Sequence, residues 1–227
     1  MRYWRITVFF FLSITLLPVL VQAQRFGGGV YVGLVSSHIL EQGVPSTYNK
    51  VGFFGGAFTD YRFTPKSTLQ LEISFIQKGT RQLGKISNNN VDIGVNLNYL
   101  EIPVLYRWWG IRNMSVEIGP QVAVLLGYKE WDQFGDLQGP NLNYKAFERV
   151  DFGAVVGLSY YLLKSRLEIN ARYAISAIPI RVKAQEASAI WPVARQYNSL
   201  FAFSVRWWFK TTYVAGASKQ KSVRSLE

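Results

Sequence analysis

Residues 98–108 read NYLEIPVLYRW, and apolar side chains recur there at every second position. One face carries Leu100, Ile102, Val104, Tyr106 and Trp108, and the other carries Tyr99, Glu101, Pro103 and Arg107. Successive side chains of a β-strand point to opposite faces, so a period of two predicts a strand with one apolar face and one mixed polar face.

The same alternation recurs along the chain. It is clear in residues 67–78, 115–126, 151–160, 167–175 and 198–209. Two earlier segments, residues 28–36 and 51–62, are rich in Gly, Val, Phe and Tyr, but their alternation is blurred and leaves the outward face open. Together the segments predict an all-β protein of eight strands.

The predicted connections alternate in length. Long ones cover residues 37–50, 79–96, 128–148 and 176–195, and short ones cover residues 63–66, 109–113 and 162–165. Long external loops and short periplasmic turns are typical of outer-membrane barrels. We therefore expect an eight-stranded antiparallel transmembrane up-and-down β-barrel in the bacterial outer membrane, with both termini periplasmic.

A soluble lipocalin-like barrel, with its apolar face inside, is the alternative. Three features favour the membrane barrel. Five alternating apolar positions span about 26 Å at ~3.3 Å per residue, near the height of a lipid-facing band. The other face mixes small residues with opposite charges, as a narrow lumen requires. Aromatic residues gather near the short turns as an interfacial girdle: Tyr106, Trp108, Trp109, Tyr160, Trp207 and Phe209.

The N-terminus resembles a secretory signal. Arg2 and Arg5 precede an apolar run that ends in Val21-Gln22-Ala23. We expect a signal peptide at residues 1–23, a barrel at 24–210, and a basic, disordered periplasmic tail at 211–227. The net charge of +11 suits anionic lipid and lipopolysaccharide better than nucleic acid, which an exported protein rarely meets.

Seven charged residues fall on the polar face and predict a charge network inside the barrel. They are Glu72, Glu101, Arg107, Glu117, Glu168, Arg172 and Arg206. An eight-stranded barrel has room only for side chains, so these groups should pair and fill the interior. A structural plug is favoured over a proton or ion path.

No pattern indicates catalysis, a metal site or a cofactor. Cysteine is absent from the sequence, and His38 is the only histidine. His38 is expected at the rim of the first strand as an exposed loop residue; a rim hydrolase using it is the weaker alternative. Trp131, Phe134 and Phe147 make one long loop aromatic, as a surface that binds a partner or as a cluster that packs over the barrel mouth.

Several segments resemble the PorT-like outer-membrane barrels of Bacteroidetes. Residues 98–107, NYLEIPVLYR, are similar to a "YLEIPLLLKY" stretch of that family. Residues 69–79, LQLEISFIQKG, resemble its preceding strand, and residues 118–122, IGPQV, resemble its "AGPQV" strand. The resemblance implies a membrane barrel associated with the type IX secretion system.

Three hypotheses for function follow. The leading one is a non-enzymatic accessory component of surface protein secretion, with lipopolysaccharide and other secretion-system or outer-membrane proteins as partners. The second is a structural or adhesive barrel without a role in secretion. The third is the hydrolase that uses His38.

Overall fold

The computed structural model describes residues 26–40, 50–86, 89–111, 113–132, 135–136, 147–162, 166–181 and 195–210. Within these residues the chain forms nine strands. They are β1 (Phe26–Leu40), β2 (Lys50–Thr64), β3 (Ser67–Ile86), β4 (Asn89–Ile111), β5 (Met114–Asp132), β6 (Gly135–Asp136), β7 (Val150–Tyr161), β8 (Leu167–Ser176) and β9 (Tyr197–Lys210).

Eight of these strands close into a barrel. Each barrel strand pairs antiparallel with its neighbours in the chain, and the pairing of β1 with β9 closes the ring. The two-residue β6 pairs only with the end of β5 and stands outside the ring. The prediction of an eight-stranded antiparallel up-and-down barrel is confirmed.

Among the described residues, no helix has the length and apolarity that a membrane crossing requires.

The two faces of the barrel wall differ as the alternation predicts. Outward positions carry exposed apolar side chains, whereas inward positions carry most of the buried polar and charged ones. The structure also settles the outward face of the first strand, since Val30, Val32 and Leu34 point out while Tyr31 and Val35 point in.

Glycines explain why the alternation of apolar and polar residues is blurred in the first two strands. A Cβ added at Gly33 would lie 2.6 Å from Cε1 of Phe54, so the missing side chain leaves room for that ring. Inward positions are thus shared between glycines and aromatic rings, and the simple binary pattern is lost. The register of β1 against β9 also shifts between Gly28 and Gly29, as at a β-bulge.

The aromatic residues near the short turns lie on the outer surface, with one exception. Tyr106, Trp108, Tyr160, Trp207 and Phe209 are exposed there. The placement of Trp109 in this girdle was wrong, because its side chain is only 6% exposed. Alternation along β4 brings position 109 to the same inward face as Arg107.

The barrel wall is much taller on one side. β3, β4 and β5 have 20, 23 and 19 residues, whereas β7 and β8 have 12 and 10. The expected long loop at residues 79–96 was therefore wrong, and so was the loop start at residue 128. Backbone pairing continues there, but the outward residues Gln77, Asn96 and Asn98 are polar. Val95 and Leu97 are buried on the inward face, so the alternation is inverted relative to a lipid-facing strand. We call residues 77–86, 89–98 and 127–132 the tall wall.

The tall wall defines one end of the barrel, which we call the loop end. The opposite end, where β2 joins β3 through residues 65–66, is the short-turn end. The expected signal peptide, the expected C-terminal tail and Phe134 lie outside the described residues.

Candidate functional site

The barrel interior holds the charged residues that the sequence singles out. Strands β3, β4, β5, β8 and β9 deliver them at inward positions of the alternation, from different sides of the barrel. All seven are buried, at 8% exposure or less. Six of them form a continuous network, and Glu101 belongs to a separate cluster closer to the loop end. The six are Glu72, Arg107, Glu117, Glu168, Arg172 and Arg206.

Glu72 anchors one side of this network. Arg172 donates two parallel hydrogen bonds to it, from Nη1 to Oε2 and from Nη2 to Oε1, both at 2.6 Å. Arg206 Nη2 lies 3.0 Å from Oε1 of the same carboxylate, and the Tyr31 hydroxyl donates to Oε2 at 2.9 Å. Paired guanidinium–carboxylate bonds are directional, so they fix how β3 faces β8 across the barrel.

Glu117 is the centre of the network. Arg172 Nε hydrogen-bonds to its Oε1, and Arg107 Nε and Arg206 Nη1 lie 3.5 and 3.9 Å from its Oε2. Asn170 Nδ2 adds a neutral hydrogen bond to Oε1 at 2.9 Å. One carboxylate therefore faces three guanidinium groups from three strands.

Glu168 completes the network at the short-turn end. Its Oε1 lies 2.5 Å from Arg107 Nη2 and 3.7 Å from Arg206 Nη1. Its Oε2 accepts a hydrogen bond from the Trp208 indole at 2.8 Å. With three arginines and three glutamates the network is formally neutral, which is the condition under which buried charges can be held in a low-dielectric interior.

Aromatic rings line the side of the lumen next to these arginines. The guanidinium of Arg206 lies 5.2 Å from the Tyr31 ring centre and 5.5 Å from that of Phe58. That of Arg107 lies 4.9 Å from the Trp109 ring centre. These distances are those of cation–π contacts, which help to stabilise a guanidinium that has left water.

Glu101 pairs away from the central network. Its Oε1 lies 2.6 Å from Lys78 Nζ, which is also 3.5 Å from Asp151 Oδ2. Ser176 Oγ and Asn198 Nδ2 donate to the same Asp151 oxygen at 2.9 and 3.0 Å. Sequence reasoning left Lys78 and Asp151 out of the charge network. Lys78 fell on the polar face of its strand, but Asp151 stands at the start of β7, where alternation has barely begun.

A second group of packed side chains lies toward the loop end, and we call it the mouth layer: Tyr128, Glu130, Phe147 and Arg181. The Phe147 ring packs edge-on against Tyr128 with ring centres 5.2 Å apart, and the Arg181 guanidinium lies 4.2 Å from its centre. Arg181 also pairs with Glu130. A backbone hydrogen bond of 2.8 Å from Glu148 N to Ile180 O joins the two loop segments.

The described aromatic residues of the predicted loop lie in two different places. Phe147 is 2% exposed and belongs to the mouth layer, so it cannot form part of an exposed partner surface. Trp131 is half-buried at the end of β5, on the outer face of the tall wall. Only Trp131 of the three remains available to an external partner among the described residues.

His38 does not lie in a loop. It is part of β1, opposite Ser199 of β9, and is 6% exposed. The expectation of an exposed rim histidine was wrong because β1 continues to Leu40. Among the described residues, no three His, Cys, Asp or Glu side chains group as a metal ion would require.

These side chains fill and stiffen the interior of the barrel, and the apolar outer surface of the barrel suits lipid. Comparison with protein families agrees: residues 22–180 match the family described as "Outer membrane protein beta-barrel domain". The chain belongs to this family. It is thus an outer-membrane β-barrel protein of the bacterial envelope.

Two solved structures are similar to this chain. Neisserial surface protein A is 13% identical, with 79% of this chain and 96% of that chain covered and a TM-score of 0.51. The attachment invasion locus protein Ail of Yersinia pestis is 14% identical, with 81% and 98% covered and a TM-score of 0.46. At such identities the likeness to the Neisserial protein concerns the fold alone. No curated protein matches the chain.

Proposed function

We propose that this outer-membrane barrel is a non-enzymatic scaffold and an accessory component of surface protein secretion. The observation that carries the proposal is the filled interior. Six charged side chains from five strands occupy the lumen as a neutral network, with the Lys78 cluster and the mouth layer above them. A barrel plugged in this way anchors the protein in the membrane, so surfaces outside the membrane carry the function of the protein.

We infer the orientation in the membrane from the connections. Short turns at one end and the tall wall with the longer connections at the other are typical of barrels whose long-loop end faces outward. We therefore place the loop end outside the cell and both termini in the periplasm. A cysteine introduced at Gly135, which is exposed in β6 and has nothing within 4 Å of an added Cβ, should react with an impermeant maleimide on intact cells. Labelling only after lysis would reverse the orientation.

Two observations support a role in secretion. The strand motifs of residues 98–107 and 118–122 resemble PorT-like barrels, which are associated with type IX secretion. The tall wall also rises beyond the apolar band on one side and offers a rigid surface to other outer-membrane or secretion-system proteins. Lipopolysaccharide and outer-membrane lipid surround such a barrel as further partners.

A deletion strain tests the secretion role. We expect surface and secreted proteins to be lost while the envelope stays intact, as judged by resistance to detergents and large antibiotics. Complementation with the wild-type chain should restore them. An envelope defect with normal secretion would instead support the second candidate, a structural or adhesive barrel, for which the tall wall would be the adhesive surface.

The hydrolase alternative receives no support from the position of His38. Its burial in β1 keeps the imidazole from an exposed substrate. His38→Ala should leave secretion in the complemented strain unchanged. Loss of a lipase or peptidase activity in that variant, with the barrel still folded, would overturn the non-enzymatic assignment.

A further inference from the structure

The outer face of the tall wall is a small polar sheet directly above the apolar band. Strands β3, β4 and β5 pair there in register: Gln77 stands opposite Asn98, and Asn98 opposite Gly127. Higher up, Gly79 is opposite Asn96, and Asn96 opposite Lys129. The apolar row Phe75, Leu100 and Val124 lies below. The change from apolar to polar outward residues marks where the wall leaves the hydrocarbon core.

The next row of this sheet holds a tryptophan against a glycine. Arg81 is opposite Gly94, and Gly94 is opposite Trp131. A Cβ added at Gly94 would lie 2.2 Å from Cζ2 of the Trp131 ring. Because Gly94 has no side chain, the indole can lie against the sheet, which holds it in a fixed position on the outer face.

Positive charge borders this indole. Arg81 and Lys129 are exposed on the same outer face, one strand to either side of Gly94 and Asn96. Lys50, at the start of β2, lies within electrostatic range of Arg81. The acidic neighbour Glu130 points the opposite way, into the barrel, where it pairs with Arg181. The outer face therefore combines cations, amides and one aromatic platform.

The height of this face suits a large sugar headgroup. Asn96 is four residues beyond Leu100, about 13 Å along the strand at ~3.3 Å per residue and about 10 Å after a tilt of ~40°. Phospholipid headgroups fill only about 5–8 Å beyond the hydrocarbon of each leaflet. Asn96 and Lys129 therefore lie just above that layer, and the row of Gly94 and Trp131 lies about 15 Å above Leu100, at a height that only a larger sugar headgroup reaches.

We propose that this face binds the phosphorylated sugar headgroup of lipopolysaccharide in the surrounding leaflet, with Trp131 as the sugar platform and Arg81 and Lys129 as phosphate ligands. The C–H face of a pyranose fits the electron-rich face of an indole. Guanidinium and ammonium groups hold phosphate through charge-assisted hydrogen bonds. The inference rests on the outward orientation of the loop end proposed above.

Binding is measured on the full-length refolded protein in detergent, with rough lipopolysaccharide as the probe, so that orientation in a cell does not enter. We expect Arg81→Gln combined with Lys129→Gln to weaken binding about 25-fold, from roughly fivefold for each surface cation. Trp131→Ala should weaken it about fivefold. Lys66→Gln, which removes an exposed cation at the short-turn end, is the matched control and should change nothing.

Three further probes distinguish lipopolysaccharide from other phosphate-bearing ligands. Dephosphorylated lipopolysaccharide should lose the contribution of the two cations but keep that of Trp131. Phosphatidylglycerol vesicles and inorganic phosphate should bind weakly and without sensitivity to Trp131→Ala. Equal binding of phosphatidylglycerol and lipopolysaccharide would overturn the proposal, as would wild-type affinity in the variants or an equal loss in Lys66→Gln.

Failure of this inference and failure of the proposed orientation give different results. If the variants bind normally in detergent, the headgroup site is wrong whatever the orientation. If they bind weakly but the cysteine at Gly135 is labelled only after lysis, the site exists and the orientation is wrong. Retention of the heat-dependent mobility shift on gels shows that each variant is folded.

Discussion

Replacing Glu117 by glutamine should destabilise the barrel by more than the removal of any solvent-exposed charge. The substitution keeps the side-chain shape but leaves Arg107, Arg172 and Arg206 facing only the two remaining carboxylates of the network. One buried positive charge is then uncompensated, which costs about 3–5 kcal/mol. The amide oxygen can still accept from Asn170, so we expect the lower end, about 3 kcal/mol.

The assay is equilibrium unfolding by urea of the protein refolded in phospholipid vesicles, followed by tryptophan fluorescence. For an m-value of about 2 kcal/mol/M, the midpoint should fall by about 1.5 M. Glu148→Gln, at a half-buried acid outside the lumen, is the control and should cost less than about 1 kcal/mol.

A second variant decides whether charge balance is the cause. Glu117→Gln with Arg172→Gln leaves Arg107 with Glu168 at 2.5 Å and Arg206 with Glu72 at 3.0 Å, so every remaining charge keeps a partner. The double variant should be more stable than the sum of the two single losses by about 1–3 kcal/mol. Strict additivity, or a single variant within 1 kcal/mol or so of wild type, would refute the reasoning.

Three further predictions follow from the wall and the mouth. Gly33→Ala should cost about 1–3 kcal/mol in the same unfolding assay, because its Cβ would lie 2.2 Å from a backbone oxygen, whereas Gly127→Ala, with nothing within 4 Å, should cost almost nothing. Val104→Arg, in the apolar band, should cost about 2–4 kcal/mol and Gln77→Arg, above it, about 0–1 kcal/mol; equal costs would place the band elsewhere. Phe147→Ala should speed proteolytic cleavage near the mouth without abolishing the heat-dependent gel shift, since it removes a buried ring from the layer but none from the wall.

The sequence was sufficient for the barrel because lipid imposes one rule on every crossing strand. Outward residues such as Ile102 and Val104 had to be apolar, and the period of two made that visible. The rule applies only inside the membrane. Above the band, β3 and β4 continue as paired strands with Gln77, Asn96 and Asn98 facing out. Val95 and Leu97 are buried on the inward face, so the alternation is inverted there and no longer marks a lipid-facing strand.

Pairing inside the lumen could be anticipated only in part. Alternation places Glu72 and Arg172 on the inward face, yet they lie on strands far apart in the sequence, and which charge meets which depends on the register of every strand between them. Glu101 shows the consequence: it falls on the same face as the other six, but the register brings it to Lys78. His38 and Trp109 were misplaced because each was assigned to a connection, whereas β1 continues to Leu40 and β4 to Ile111.

The unequal strand lengths give the molecule a front and a back within the plane of the membrane. A cylinder of even height would meet its neighbours alike from every direction. Here β3 to β5 rise on one flank, whereas β7 and β8 end far lower on another. Within the part of the chain that the structure describes, the flank of β3 to β5 is the one that offers long paired strands above the bilayer to a second protein. Lateral assembly in the outer membrane would therefore be directional, with a preferred heading for each copy.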